Sequence, residues 1–309
     1  MHDNPDLVWL HAGNFHLALA PAIGGAIAAL YTLDNHSPLT DPPGAFHWLR
    51  PATPAALLAR DPLRMASFPL VPWCNRIRDG QAEVLGHRIA LPNAGGMEHA
   101  IHGLGWQAPW TVVDRTASTV TLEFSYSGGD WPWAFTARQQ FGLTAQGLHC
   151  ALSLRNDGSA PMPAALGHHP YFPHPPGTRL RCTVEAMWES DAAMLPLRLI
   201  QPDFLPALRD GIALDALDLD NNFTGWNRRF TIAWPAQGRQ LTLVADAPLN
   251  YFVLFCPHGA DHFCAEPVSN CTDWLNRGTG PEVGGSTLAA GITLACDFSL
   301  AWAELHGPQ

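Results

Sequence analysis

Along much of this chain apolar and polar residues alternate one for one, the period of a strand that packs one face on a core. Val120, Leu122, Phe124 and Tyr126 alternate with Thr121, Glu123 and Ser125, and Leu148, Cys150, Leu152 and Leu154 with His149, Ala151 and Ser153. Between them, residues 135–143 run into Thr144-Ala145-Gln146-Gly147, a turn of hairpin length. Shorter apolar runs at 15–20, 26–33, 180–184, 230–234, 241–245 and 251–255 predict further strands, and 288–302 predicts one last strand. Strands of this period joined by short turns predict an all-β fold of antiparallel sheet. Helix is confined to residues 54–60, with Pro54 at the first turn and Pro62 beyond the end, and to a weaker stretch at 207–217. Residues 38–53 and the Asx-rich run 218–226 read as loops.

Twenty-seven glycines and 28 prolines are scattered along the 309 residues rather than clustered, which fits many turns and gives no linker. No repeat or low-complexity stretch divides the chain, so residues 1–309 are expected to form a single domain.

Composition narrows the chemistry. Net charge is −10 with 14% charged residues, so no basic stripe is offered to nucleic acid. Every one of the 17 basic residues is arginine. Schiff-base, pyridoxal and P-loop chemistry all need lysine and are excluded. Seven cysteines without a C-x-x-C pair read as buried thiols of a reducing compartment. The acidic start lacks a basic signal region, and the apolar stretch 17–31 is cut by Pro21 and Gly24-Gly25. A cytoplasmic protein with no membrane partner is expected.

Proton-transfer groups cluster near the middle of the chain, in Gly167-His168-His169-Pro170-Tyr171-Phe172. Histidine titrates near neutrality, and aromatic walls beside it suit a small polar substrate. A buried histidine is also commonly a hydrogen-bonded core residue. Asn75-Arg76 follows a segment shaped by Pro69 and Pro72, where arginine offers a planar donor fork. His99 and His102 lie in a glycine-rich loop; they stand three apart, but without a helix or a nearby cysteine they make a weak case for zinc. Asp220 lies in the Asx-rich run, and Glu266 precedes Pro267 at the end of an apolar segment, where burial would raise it toward a useful base.

Taken in order, Asn75-Arg76, His102-Gly103, His169-Pro170-Tyr171-Phe172, Asp220-Asn221-Asn222-Phe223 and Glu266-Pro267 resemble the aldose 1-epimerase family, the galactose mutarotase-like proteins. Each motif alone is weak; the ordered set carries the resemblance, which runs from about Gly24-Gly25 to the tail. It implies a large antiparallel β-sandwich with a sugar cleft on one face. It also implies roles. Glu266 matches the carboxylate that takes the proton of the anomeric hydroxyl, His169 the histidine that protonates the ring oxygen, and His102 a second histidine near that oxygen. Asn75-Arg76 and Asp220 match residues that hold sugar hydroxyls. No cofactor or metal is implied. The chain departs from the pattern at His168, where better-characterised mutarotases have asparagine, and around 271–276, which fits only with an insertion.

The expected activity is therefore interconversion of the α and β anomers of a free aldose by a monomer or homodimer. A hexose 6-phosphate would want a second arginine, from among Arg78, Arg228 and Arg229. A non-catalytic sugar-binding relative would be expected to lack Glu266 or His169, and a glycosidase would need Asp220 as second carboxylate. Trp226 is a weak candidate for stacking on a sugar face. The sequence leaves open whether His168 shares the role of His169.

Overall fold

The structure is a computed structural model and describes residues 4, 6–33, 42, 44–93 and 96–305. Its regular structure is mainly antiparallel strands, with three short helices among the described residues. A nine-stranded sheet runs in the order Thr111–Arg115, Thr119–Tyr126, Phe135–Leu143, Gly147–Asn156, Thr293–Glu304, Arg239–Ala245, Arg229–Trp234, Arg179–Cys182, Ile212–Ala213. An eight-stranded sheet orders Pro196–Ile200, Ala186–Ser190, Leu219–Thr224, Tyr251–Cys256, His262–Val268, Gly167–His168 and Pro69–Leu70, with Tyr171–Pro173 also on the His262–Val268 strand.

The two sheets face each other across the main core, to which Leu152, Leu154, Ile232, Leu243 and Phe298 come from one side and Phe172, Phe223, Phe252, Leu254, Phe263 and Ala265 from the other. The other face of the eight-stranded sheet packs on a second cluster. There Tyr171, Tyr251, Val253, Cys264 and Val268 meet Ala18, Ala28 and Tyr31 of a four-stranded N-terminal sheet. Strand alternation does the sorting: Phe263 and Ala265 point into the main core, while Cys264, Glu266 and Val268 point to the opposite face. The expected all-β sandwich is what forms.

Four local expectations change. The Asx-rich run is no loop but the strand Leu219–Thr224. Its polar side chains are satisfied outward, Asn221 Nδ2 donating to the Trp188 carbonyl and Asp220 pairing with Arg76, so they do not fold back into local turns. The weak helix is split: the α-helix Leu205–Asp210 ends at Gly211, φ +109, and after the short strand Ile212–Ala213 only a single 3-10 turn, Leu214–Ala216, follows. The last strand divides into Ser286–Leu288 and Thr293–Glu304, with Gly291 at φ +73 between them. The loop expected at 38–53 lies partly outside the described residues, and its described part contains the short strand Ala45–His47. The first helix is Pro54–Ala59, capped by the Thr53 hydroxyl.

Candidate active site

Glu266 sits inside the strand His262–Val268, not at its end. Gly167 pairs with Val268 and Tyr171 with Cys264, so in this register His169 falls opposite Glu266. Cross-strand neighbours have Cβ atoms about 4.5–5.5 Å apart, and the side chains meet: His169 Nε2 lies 3.2 Å from Glu266 Oε1. The ladder is interrupted at His169-Pro170, between the paired residues Gly167 and Tyr171. That break leaves room for Pro267, without an N–H, in an interior strand.

The His169 ring packs against the rings of both Phe68 and Tyr171, each 4.7 Å away and stacked on it, while those two rings meet each other at 6.2 Å; its backbone N–H donates to the Phe68 carbonyl. The Arg50 guanidinium lies 3.8 Å above the Tyr171 ring. His102 meets His169 edge to face at 4.9 Å. Two unusual backbone conformations place it: His102 has φ +65 and Asn75 φ +59, and the His102 N–H donates to the Asn75 carbonyl at 3.0 Å. Gly103 is required beside His102, since a Cβ there would lie 2.1 Å from the Val71 carbonyl oxygen. Asn75 Oδ1 accepts from the Arg76 backbone N–H and Nη1, while Arg76 Nη2 donates to Asp220 Oδ2 at 2.9 Å.

All six residues singled out from the sequence, Asn75, Arg76, His102, His169, Asp220 and Glu266, line one cavity of about 160 Å³. Leu63, Met97, Ile101, Tyr171 and Phe255 complete its wall. Leu63, Met97, Ile101 and Phe255 carried no sequence signal, because an apolar residue that lines a cavity is patterned like one that fills a core. Phe68 was missed for the same reason, and Arg50 because a lone arginine in a loop is patterned like any surface charge.

Burial dominates the electrostatics. It raises Glu266 well above the ordinary carboxyl range; repulsion from Asp220 adds to this and Arg76 opposes it. It pushes His169 down to about 3, and His102 well below its usual value with help from His169 and Arg76. Burial thus disfavours both charged forms of the pair, carboxylate and imidazolium alike. Carboxylate and imidazolium are one proton transfer away across the 3.2 Å contact.

Several candidates fall outside the cavity. His168 faces the main core, beside Cys150 Sγ and Ser67 Oγ. His99 accepts from the Asp79 backbone N–H. Trp226 is buried against Phe230 and Phe252, so it offers no stacking face to a sugar. Arg78 pairs with Asp273 and Arg228 with Asn250; neither they nor Arg229 are among the cavity residues. Among the described residues, the one group of three or more side chains able to hold a metal is His169, Cys264 and Glu266, and no helix is long and apolar enough to cross a membrane.

Together these features define a β-sandwich protein with a buried His169–Glu266 pair on the wall of a small cavity that also gathers Asn75, Arg76, His102 and Asp220. The profile of the aldose 1-epimerase family matches residues 11–295, and the chain belongs to that family. It is 29% identical over 244 residues to the uncharacterized protein YphB of Escherichia coli (strain K12), covering 75% of this chain and 82% of that one. A crystal structure from E. coli K12, of a protein provisionally assigned as an aldose 1-epimerase, superposes with a TM-score of 0.84 at 26% identity, covering 97% of this chain and 99% of that one. A galactose mutarotase-like protein from Clostridium acetobutylicum shares the fold, with a TM-score of 0.84 at 18% identity over 96% of this chain and 95% of that one. Membership of the family makes a sugar epimerase the general class of this protein.

Proposed function

We propose that the protein is a mutarotase that interconverts the α and β anomers of a free aldose without a cofactor. The observation that carries this reading is the His169–Glu266 pair, held at 3.2 Å on the wall of a cavity whose other polar groups are Arg76, Asp220, Asn75 and His102.

Opening a pyranose requires the C1 hydroxyl to lose a proton while the ring oxygen gains one. Glu266 as carboxylate takes the first and His169 as imidazolium gives the second, and the bond between C1 and the ring oxygen breaks to leave the open-chain aldehyde. Rotation about C1–C2 and reclosure with the two roles reversed delivers the other anomer and restores both protons. A sugar that enters between the two groups substitutes its own hydroxyl and ring oxygen for their direct contact, and each group contributes about 10²–10⁴-fold. His102 lies beside His169 and helps to surround the ring oxygen. The Arg76–Asp220 pair, braced by Asn75, presents a donor fork and an acceptor to the remaining hydroxyls.

A neutral aldose is favoured over a hexose 6-phosphate, because the cation of the cavity wall, Arg76, is already paired with Asp220. The same pairing removes Asp220 as the second carboxylate of a glycosidase.

The test is NMR exchange spectroscopy on a panel of free aldoses and hexose 6-phosphates, with wild type and Glu266→Gln. Faster α-to-β exchange of a free aldose, lost in the variant, is the expected outcome. Faster exchange of the phosphorylated sugars alone would replace the substrate class. No acceleration of any sugar, with binding shifts retained, would make the protein a sugar-binding relative.

A further inference from the structure

Cys264 has no part in the proton transfers just described, yet it stands beside the pair that performs them. It precedes Glu266 by two residues on the same strand face and is the register partner of Tyr171. One ligand atom from each of His169, Cys264 and Glu266 lies within 4.8 Å of the other two, and all three residues are buried. We propose that these side chains form a binding site for a thiophilic divalent cation such as Zn²⁺ or Cd²⁺, and that a cation bound there blocks the catalytic cavity.

The geometry suits such an ion. Bonds of roughly 2.0–2.1 Å to nitrogen and oxygen in a tetrahedral site give an edge of about 3.3 Å between the two ligand atoms. His169 Nε2 and Glu266 Oε1 stand 3.2 Å apart. The longer bond to sulfur, about 2.3 Å, sets edges of about 3.5 Å, within reach of the Cys264 thiol by a side-chain adjustment. His169 and Glu266 both line the cavity, so a fourth position opens on it for water or a sugar hydroxyl.

Charge points the same way. A dication neutralises a thiolate and a carboxylate together, in surroundings where either anion alone is costly. The set of one sulfur, one nitrogen and one carboxylate oxygen selects zinc or cadmium against magnesium or calcium, which require oxygen ligands. Binding displaces the proton of the thiol, so affinity rises with pH. The other close cysteine–histidine contact, Cys150 with His168 at 3.4 Å, offers no carboxylate and no cavity.

Binding can be read without any activity assay. Metal-free wild type is titrated with Cd²⁺ while the thiolate-to-cadmium charge-transfer absorbance is followed in the ultraviolet. The band is expected to saturate at one equivalent, to strengthen with rising pH and to be unaffected by excess Mg²⁺. Cys264→Ala and Cys264→Ser are expected to lose it and to bind Cd²⁺ on the order of 100-fold more weakly. Two variants are used so that a folding defect in one does not decide the matter. A wild type without the band overturns the proposal, and so does a band that persists in both variants. The inhibitory consequence rests on the mutarotase reading: Zn²⁺ should raise the apparent KM for the sugar in wild type, and much less in the two variants. If the metal-free protein exchanges no sugar, the absorbance still decides the site and only the proposed function fails.

Discussion

His168 and His169 are neighbours in sequence, both buried and both pushed by burial to about 3, yet they belong to different parts of the molecule. His168 turns into the main core, against Cys150 and edge-on to Phe298 of the nine-stranded sheet. His169 turns to the opposite face, against two aromatic rings, with Glu266 before it and the cavity beside it. Neither residue type nor titration separates them. What separates them is strand alternation and the partner that each face provides.

The comparison can be broken most sharply at Glu266. Glu266→Gln and His169→Asn should each lower anomer exchange by about 10²–10⁴-fold while circular dichroism stays native, the first because it is isosteric and the second because it alters one side chain at a cavity wall. His168→Asn should keep exchange near wild type; a loss as deep as that of His169→Asn would mean that both histidines act. Arg76→Ala should raise KM about tenfold and change kcat much less, as measured by exchange at varied sugar concentration, because it removes binding that is made in ground and transition states alike.

Stability offers a finer contrast. The folded-state value of His168, about 3, lies below its ordinary 6.5, so the folded protein binds fewer protons than the unfolded chain between those values. Its contribution is therefore complete above about pH 6.5 and is lost as the pH falls toward 3. Melting temperature against pH should show this acid loss in wild type and a shallower slope in His168→Asn, with an overall cost of about 1–3 kcal/mol for the changed core contacts. The smallest effect is expected from Trp226→Phe, which touches only core and should leave sugar exchange unchanged.

The polar half of the site was legible in the sequence because its residues are chemically conspicuous and their order along the chain is distinctive. Its apolar half was not, since Leu63, Met97 and Phe255 are patterned like any core residue. The strands of the nine-stranded sheet with a solvent face were legible by alternation, as at Thr119–Tyr126. Local signals misled where tertiary partners outweighed them. Asp220, Asn221 and Asn222 are turn-formers in isolation, but partners on other segments hold all three in a strand. Glu266 was displaced from strand interior to strand end by the proline after it, because a break in a neighbouring ladder cannot be read from one segment.

The pairing of His169 with Glu266 is a matter of strand register, and under the proposed mechanism this makes activity an audit of folding. A slip of one residue between the two segments would set Ala265 or Pro267 opposite His169, neither able to exchange a proton with a sugar. A chain with near-native sheet content but the wrong alignment would look intact to circular dichroism and be silent in catalysis. Each molecule that turns over thereby certifies that two segments about a hundred residues apart in the chain have been aligned without error.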